Sequence, residues 1–218
     1  MMRRLYICAF LLLIFLFSGC SFFAGKKELP ADELAEKGME AFDKGDYSQS
    51  IEYFENLKDW YPFNRLAILA ELKIADAYFN EDMFDDAISG YEEFENMHPN
   101  NEAVPYCIYR TGMSYYKQLD TVDRDQTMAK KALETFDRLI DAYPESEYAK
   151  KAEVYRKKSL KSLANHELYV AKFYMKQDQY EAALKRFEGI IKTFPDVGMH
   201  NEALHYIGLL REKLSKKE

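Results

Sequence analysis

Apolar residues recur at intervals of three and four along most of this chain, the spacing that places side chains on one face of an α-helix. The 218 residues include only 9 glycines and 6 prolines, and four of the five prolines after residue 30 fall between the apolar-periodic segments. Because both residue types interrupt helices, they mark where helices end. The chain is therefore predicted to be all-α from residue 31 onward.

The helical pattern repeats four times, each time ending in an aromatic residue or histidine followed by proline, at Pro62, Pro99, Pro144 and Pro195. Upstream of each proline, at four constant offsets, stand an aromatic or small residue, a small residue, a large apolar residue and a further apolar residue. These sets are Tyr47, Ser50, Phe54 and Leu57; Phe84, Ala87, Tyr91 and Phe94; Ala129, Ala132, Phe136 and Leu139; and Tyr180, Ala183, Phe187 and Ile190. A small residue lets two helices approach closely, and proline stops the helix.

The preceding helices carry small residues at matching places, at Gly38, Ala75, Gly112 and Ala171. Together the two patterns resemble the paired helices of the tetratricopeptide (TPR) repeat. This resemblance implies a TPR-type α-solenoid of about ten helices in five pairs, coiled as a right-handed superhelix, in which each repeat packs against its neighbours.

Three segments depart from the regular repeat. Residues 117–126 are a polar insertion and are predicted to be a loop. The gap of 51 residues between Pro144 and Pro195 leaves room for an additional helix at roughly 146–162. Residues 201–217 are amphipathic and end in many charges, as expected of a helix that caps the array.

The first residues have the features of a secretory signal. Arg3 and Arg4 precede an uncharged stretch up to Gly19 that is too short for a comfortable permanent membrane span. Its end, Phe17-Ser18-Gly19-Cys20, resembles the bacterial lipobox, although Leu is preferred where Phe17 stands. This resemblance implies cleavage before Cys20 and covalent lipid on that cysteine. The alternative is an ordinary signal peptide with a chance cysteine. The predicted organisation is a signal peptide at 1–19, a lipidated N-terminus and tether at 20–30, and a TPR solenoid at 31–218.

Charge restricts the partners of the mature chain. Without residues 1–19 it has 28 basic and 37 acidic side chains, a net charge of −9. Such a surface disfavours nucleic acid, whose affinity comes mainly from basic contacts with phosphate. It gives no attraction to anionic lipid either, so membrane attachment is expected to come from acyl chains. The residue after the cysteine is Ser21. An aspartate at this position would resemble the inner-membrane retention signal of enteric bacteria, so its absence favours the outer membrane.

No residue pattern indicates catalysis or a metal centre. Cys107, the one cysteine left after Cys8 is removed and Cys20 is lipidated, is predicted to be a small buried hydrophobe. The four histidines are scattered, and His200 and His205 are five residues apart, off a common helical face. The chain also lacks a glycine-rich phosphate loop and a nucleophile elbow. The protein is therefore expected not to be an enzyme and to have no metal or cofactor other than the lipid on Cys20.

Four longer segments resemble the BamD family (ComL/YfiO-like) of outer-membrane assembly lipoproteins. They are Tyr61-Pro62-Phe63-Asn64, Arg124-Asp125-Gln126, residues 143–149 and residues 163–174. The resemblance covers nearly the whole mature chain. It implies a lipid-anchored protein on the periplasmic face of the outer membrane that acts in the β-barrel assembly machinery. The implied partners are the periplasmic domain of a BamA-type barrel insertase, other assembly lipoproteins and unfolded outer-membrane protein precursors, with no nucleic acid.

Two sets of residues are candidates for these contacts. First helices of TPR pairs line the concave side of the solenoid, and an aromatic-rich lining there would suit an extended peptide. The candidates for this groove are Met39, Phe42, Leu72, Phe79, Tyr106, Tyr109, Met113 and Tyr116. By family resemblance, Arg186 and its neighbour Lys185 are candidates for docking on the insertase. The alternatives are that the groove residues form the core between repeats and that the two cations are solvated surface charges.

Two other functions remain open at this stage. The runner-up to the barrel-assembly role is another TPR lipoprotein of the envelope, acting as an adaptor for peptidoglycan or cell-division proteins. A lipoprotein enzyme that uses the groove as an active site is a more distant alternative.

Overall fold

A computed structural model of the chain describes residues 28–216. Those residues form nine α-helices joined by short turns, with no strand among them. The helices are α1 (Ala31–Asp43), α2 (Tyr47–Trp60), α3 (Arg65–Asn80), α4 (Phe84–Met97), α5 (Val104–Lys117), α6 (Thr127–Ala142), α7 (Glu147–Lys176), α8 (Tyr180–Thr193) and α9 (His200–Ser215). The predicted all-α fold is confirmed, and the first helix begins at Ala31, where the sequence placed the start of the solenoid.

Each helix packs mainly on the helices before and after it, and α1 and α5 also contact α3 and α7, respectively. The apolar core is accordingly a series of local clusters along the array. One joins α1, α2 and α3 around Leu34, Phe54 and Leu57, and another joins α7, α8 and α9 around Phe187 and Ile190. This arrangement is the one expected when a repeat can bury its apolar face only against adjacent repeats.

The small residue on the first helix of a pair packs directly against the large apolar residue on the second helix. A Cβ atom added to Gly38 would stand 2.8 Å from Cζ of Phe54, and one added to Gly112 would stand 2.5 Å from Cε1 of Phe136. The phenylalanine rings of the second helices therefore occupy the space that a side chain on the first helix would need. The constant offsets in the sequence reflect this contact between paired helices.

The turns inside three helix pairs share one backbone conformation. Gly45, Asp82 and Asp178 have φ values of 77°, 58° and 57°, in the left-handed region. In each turn the N–H group of the next residue donates to the carbonyl five residues before it, at 2.9 to 3.0 Å. This is the hydrogen bond of a Schellman motif, in which the residue in the left-handed conformation is usually glycine. Aspartate occupies that position in two of the three turns.

The predicted loop at 117–126 is confirmed, since α5 ends at Lys117 and α6 begins at Thr127. Gln126 is buried, and its Nε2 donates to the carbonyls of Thr121 and Arg124 at 3.0 and 3.1 Å. The ring of His166 on α7 also lies against the loop, with Nδ1 2.7 Å from the carbonyl oxygen of Val122. Gln126 thus braces the loop internally, and the contact of Val122 with His166 fastens its centre to α7.

The additional helix predicted at 146–162 does not form a separate element. It is the first half of α7, which runs for 30 residues from Glu147 to Lys176, a length of about 45 Å. The side chain of Ser146 caps its start by accepting from the N–H of Tyr148 at 3.2 Å. No glycine or proline lies within the helix to stop it. The residues described therefore contain nine helices where the sequence indicated about ten.

The last helix, α9, covers the end of the array, as predicted for residues 201–217. It buries Ala203, Ile207 and Leu210 against α8 and α7. Its outer side has mostly polar and charged residues, together with the exposed side chains of Leu204 and Leu209.

Candidate protein-binding groove

A buried carboxylate links three helices in the first half of the solenoid. Asp76 on α3 is only 5% exposed. Its Oδ1 accepts hydrogen bonds from the hydroxyl of Tyr91 on α4 at 2.7 Å and from that of Tyr106 on α5 at 2.5 Å. Burial, and then the charge of Asp76, raise the pKa of both tyrosines, so both hydroxyls remain protonated donors at neutral pH.

Two cations adjoin this carboxylate. Lys73 donates from Nζ to Oδ2 of Asp76 at 3.4 Å, and Arg110 donates from Nε to the hydroxyl of Tyr91 at 3.1 Å. Nε of Arg110 also lies 4.0 Å from Oδ1 of Asp76. These five residues, Lys73, Asp76, Tyr91, Tyr106 and Arg110, are called the Asp76 cluster below. With two cations and one anion, the cluster has a net charge of +1.

Arg110 is the part of the Asp76 cluster best placed to bind a ligand. Its guanidinium carbon lies 3.6 Å from the centre of the Phe79 ring, and its side chain is 19% exposed. Stacking on an aromatic face fixes the plane of the guanidinium group. Within the described residues, the N–H groups on its two Nη atoms make no hydrogen bond. A planar pair of donors of this kind matches the two oxygens of a carboxylate.

Three of the four predicted groove residues of the first two repeats, Phe42, Leu72 and Phe79, lie beside this cluster. Phe42 contacts the ring of Tyr47 edge to face, and Nζ of Lys73 lies 4.8 Å from the centre of its ring. Leu72 packs on the apolar core residues Tyr91 and Phe94. Met39 packs on a different part of the core, around Leu34. All of the first-repeat candidates are partly buried, so each combines a packing role with some accessible surface.

Three of the four remaining groove candidates, all of them tyrosines, form an aromatic group with α7. Tyr109 lies 5.8 Å from Tyr148 and 6.3 Å from Tyr155, and Tyr116 lies 5.0 Å from Tyr155, between ring centres. Tyr106 continues this group towards the Asp76 cluster, with its ring 5.3 Å from that of Tyr148. Met113, by contrast, is 8% exposed and lies in the core with Phe136 and Leu139. The structure therefore gives Met113 a packing role.

The second predicted site lies far along the array, on α8. Nη1 of Arg186 donates to Oε2 of Glu167 on α7 at 2.9 Å, and this hydrogen bond raises the pKa of the guanidinium group. Lys185 is exposed beside it. Both cations line a cleft of about 470 Å³ between α7 and α8, together with Tyr174 and Phe194. The cleft combines an ion pair at its edge with aromatic walls.

Sequence reasoning did not identify the Asp76 cluster. Asp76 stands alone among apolar residues in Ile74-Ala75-Asp76-Ala77, and a single acidic residue on a buried stretch of helix was the available signal. Its partners Tyr91 and Arg110 are separated from it by 15 and 34 positions, and no local spacing in the sequence indicates that these residues meet.

Two observations concern metal ligands and the thiol of Cys107. Among them, no group of three His, Cys, Asp or Glu side chains is placed to hold a metal ion. Cys107 is fully buried, and burial raises the pKa of its thiol to about 12. The predicted lipidation site, Cys20, lies outside the described residues. Between residues 28 and 216, no helix is both long and apolar enough to cross a membrane.

These observations define the chain as a TPR-type α-solenoid. Among solved structures it is similar to the TPR2AB domain of yeast Sti1 in complex with pHSP90, with a TM-score of 0.51 and 16% sequence identity. That similarity covers 84% of this chain and 70% of the Sti1 chain. The chain belongs to the YfiO family of outer membrane lipoproteins, whose family model matches residues 27–218.

Its relatives include proteins named outer membrane protein assembly factor BamD. The one from Neisseria meningitidis serogroup A is 28% identical over 197 residues, which cover 86% of this chain and 74% of the relative. The one from Pasteurella multocida is 28% identical over 225 residues, covering 98% and 86%. The one from Vibrio cholerae is 29% identical over 188 residues, covering 81% and 78%.

Proposed function

We propose that this chain is a lipid-anchored subunit of the machinery that assembles β-barrel proteins in the outer membrane. It holds other proteins and performs no catalysis. Its membership of the YfiO family and its similarity to BamD assembly factors over most of its length support this role. The solenoid fold supports it as well, because stacked helix pairs create extended surfaces for binding proteins.

The observation that carries the proposal is the Asp76 cluster with its aromatic surroundings. Barrel precursors typically end in an extended segment with alternating apolar residues and a terminal aromatic. Such a segment ends in a carboxylate, which would balance the net charge of +1 and pair with the guanidinium of Arg110. Its aromatic side chain would lie among Phe42, Phe79 and Tyr106. The other partly buried candidates, Met39, Leu72, Tyr109 and Tyr116, would contact alternate side chains further along the peptide.

Docking on the barrel insertase is proposed for the opposite end of the solenoid. The cleft between α7 and α8 presents Arg186, which already binds one carboxylate, Glu167. An acidic side chain on the periplasmic domain of a BamA-type insertase would compete for the same guanidinium group. The two proposed sites are on different repeats, so one molecule would be able to hold a precursor and the insertase together.

Affinity purification of the lipidated protein from detergent-solubilised membranes tests this function. We expect a large barrel insertase to be recovered, together with other assembly lipoproteins. Recovery of peptidoglycan-binding or cell-division proteins in its place would support the adaptor function instead. Turnover of a cell-wall substrate by the purified protein would indicate an enzyme and would overturn the proposal. Mass spectrometry of the N-terminus tests the anchor, since an unmodified thiol at Cys20 would contradict it.

A further inference from the structure

The turn between α2 and α3 exposes a large apolar side chain completely. Phe63 has a relative exposure of 102%, higher than any other exposed large hydrophobic residue described. It directly follows the proline that ends the first repeat. In the other three repeats the residue after the equivalent proline is polar or charged, namely Asn100, Glu145 and Asp196. Among these four turns, an exposed aromatic ring therefore follows only Pro62, and the repeat fold does not require it.

This turn is fixed beside the point where the chain enters the solenoid. The hydroxyl of Tyr61 donates to the carbonyl of Leu29 at 3.0 Å. Leu29, Trp60 and Tyr61 also pack on the same apolar cluster around Leu34. The position of Leu29 and that of the exposed ring are thus linked by direct contacts.

The sequence places the predicted lipid attachment close to this end. Nine positions separate Cys20 from Leu29, and an extended chain of that length spans at most about 30 Å. A lipid on Cys20 would therefore keep the Phe63 turn within a short distance of the membrane surface. At such a distance the local concentration of lipid around the turn is high, so even a weak apolar contact becomes populated.

We propose that the turn formed by Trp60, Tyr61, Pro62 and Phe63 is a second membrane contact, in which the ring of Phe63 inserts into the lipid surface. The proposal rests on lipid attachment at Cys20, which is part of the proposed function. The contact depends on the apolar ring, because the acidic mature chain has no general attraction to anionic lipid. Trp60, which is partly exposed on the preceding turn of helix, would lie near the headgroups, where tryptophan is favoured. With two points of attachment, the first repeat would have a defined orientation relative to the membrane.

The protein contains one tryptophan, Trp60, so its fluorescence reports on this turn without any labelling. The lipidated protein is reconstituted into vesicles of phosphatidylethanolamine and phosphatidylglycerol, with and without bromine on the acyl chains. Bromine quenches tryptophan only at short range. We expect quenching in the wild type, loss of quenching in Phe63→Asp, and retention of quenching in Phe63→Leu, which keeps an apolar side chain.

Met97→Asp is the matched control. Met97 is 67% exposed and occupies, in the second repeat, the position that Trp60 occupies in the first. We expect this variant to be quenched like the wild type. Circular dichroism of each variant verifies that the helices are intact, as expected for substitutions of exposed side chains.

Vesicle flotation separates failure of the anchor from failure of the second contact. If the wild type does not float with the vesicles, the lipid anchor is absent and both proposals fall. If it floats but Trp60 is not quenched, or if Phe63→Asp is quenched as strongly as the wild type, the anchor stands and the second contact is refuted.

Discussion

The hydroxyl of Tyr106 on α5 lies 2.5 Å from Oδ1 of Asp76 on α3. This hydrogen bond joins two helices through residues that are 30 positions apart in the sequence. The same oxygen accepts from Tyr91 on the intervening helix α4. A buried carboxylate is costly unless its oxygens are hydrogen-bonded and its charge is balanced. Here two hydroxyls supply the hydrogen bonds, and Lys73 and Arg110 supply the balancing charge.

Tyr106→Phe is expected to destabilise the fold. It removes one hydrogen bond from a buried, charged acceptor, a loss of about 1.5 to 3 kcal/mol in the free energy of unfolding. Tyr116→Phe is the control, because the Tyr116 hydroxyl makes no hydrogen bond to any residue in the described range while its ring packs similarly on α7. Denaturant titration compares the two variants. Equal stability of both would show that the hydrogen bond to Asp76 contributes nothing measurable.

Gly112→Ala is expected to destabilise the protein although alanine is the better helix former. The new methyl group would stand 2.5 Å from the ring of Phe136, and overpacking of this kind costs about 1 to 3 kcal/mol. Gly208→Ala on α9 is the matched control, since nothing lies within 4 Å of its added Cβ atom. There helix propensity alone should raise stability by about 1 kcal/mol. Thermal unfolding of the two variants should show shifts of opposite sign, and shifts of the same sign would contradict the close helix contact.

Asp82→Gly is expected to stabilise the turn between α3 and α4. Asp82 has a φ of 58°, a conformation that costs an L-residue energy and costs glycine almost none. The left-handed conformation costs about 1 to 2 kcal/mol and the extra entropy of glycine about 0.5 to 1 kcal/mol, so we expect a gain of about 0.5 to 1 kcal/mol in the free energy of unfolding. The reverse test is Gly45→Ala at the equivalent turn, where φ is 77°, and this variant should lose a similar amount. A loss of stability in Asp82→Gly would mean that the aspartate side chain contributes more than the backbone strain costs.

Arg186→Glu is expected to reduce recovery of the insertase. The change replaces the cation with a second carboxylate opposite Glu167, so an acidic partner would be repelled. Arg211→Glu on α9 is the control, because Arg211 also pairs with a glutamate, Glu188, outside the cleft. The amount of insertase co-purified with each tagged variant is the measurement. Equal recovery with both would remove Arg186 from the proposed interface.

The sequence predicted those features that depend on local spacing. The second helices, the close approach of helices at small residues such as Gly112, and the loop at 117–126 all follow from the offsets of the repeat. The continuity of α7 did not follow, because the repeat length suggested two helices and only the lack of a breaker between Glu147 and Lys176 argued for one. The Asp76 cluster did not follow either. Its hydrogen bonds join residues on three helices, and their partnership depends on how those helices stack.

We propose that the Asp76 cluster, with its aromatic surroundings, receives the carboxyl end of a barrel precursor. A peptide with alternating apolar residues and a terminal phenylalanine, titrated as the free acid and as the C-terminal amide, tests it without altering the protein. We predict that the free acid binds about 10- to 100-fold more tightly, the difference expected for one hydrogen-bonded charge pair, and that Arg110→Gln abolishes this preference. Equal affinity of the acid and the amide for the wild-type protein would contradict the claim.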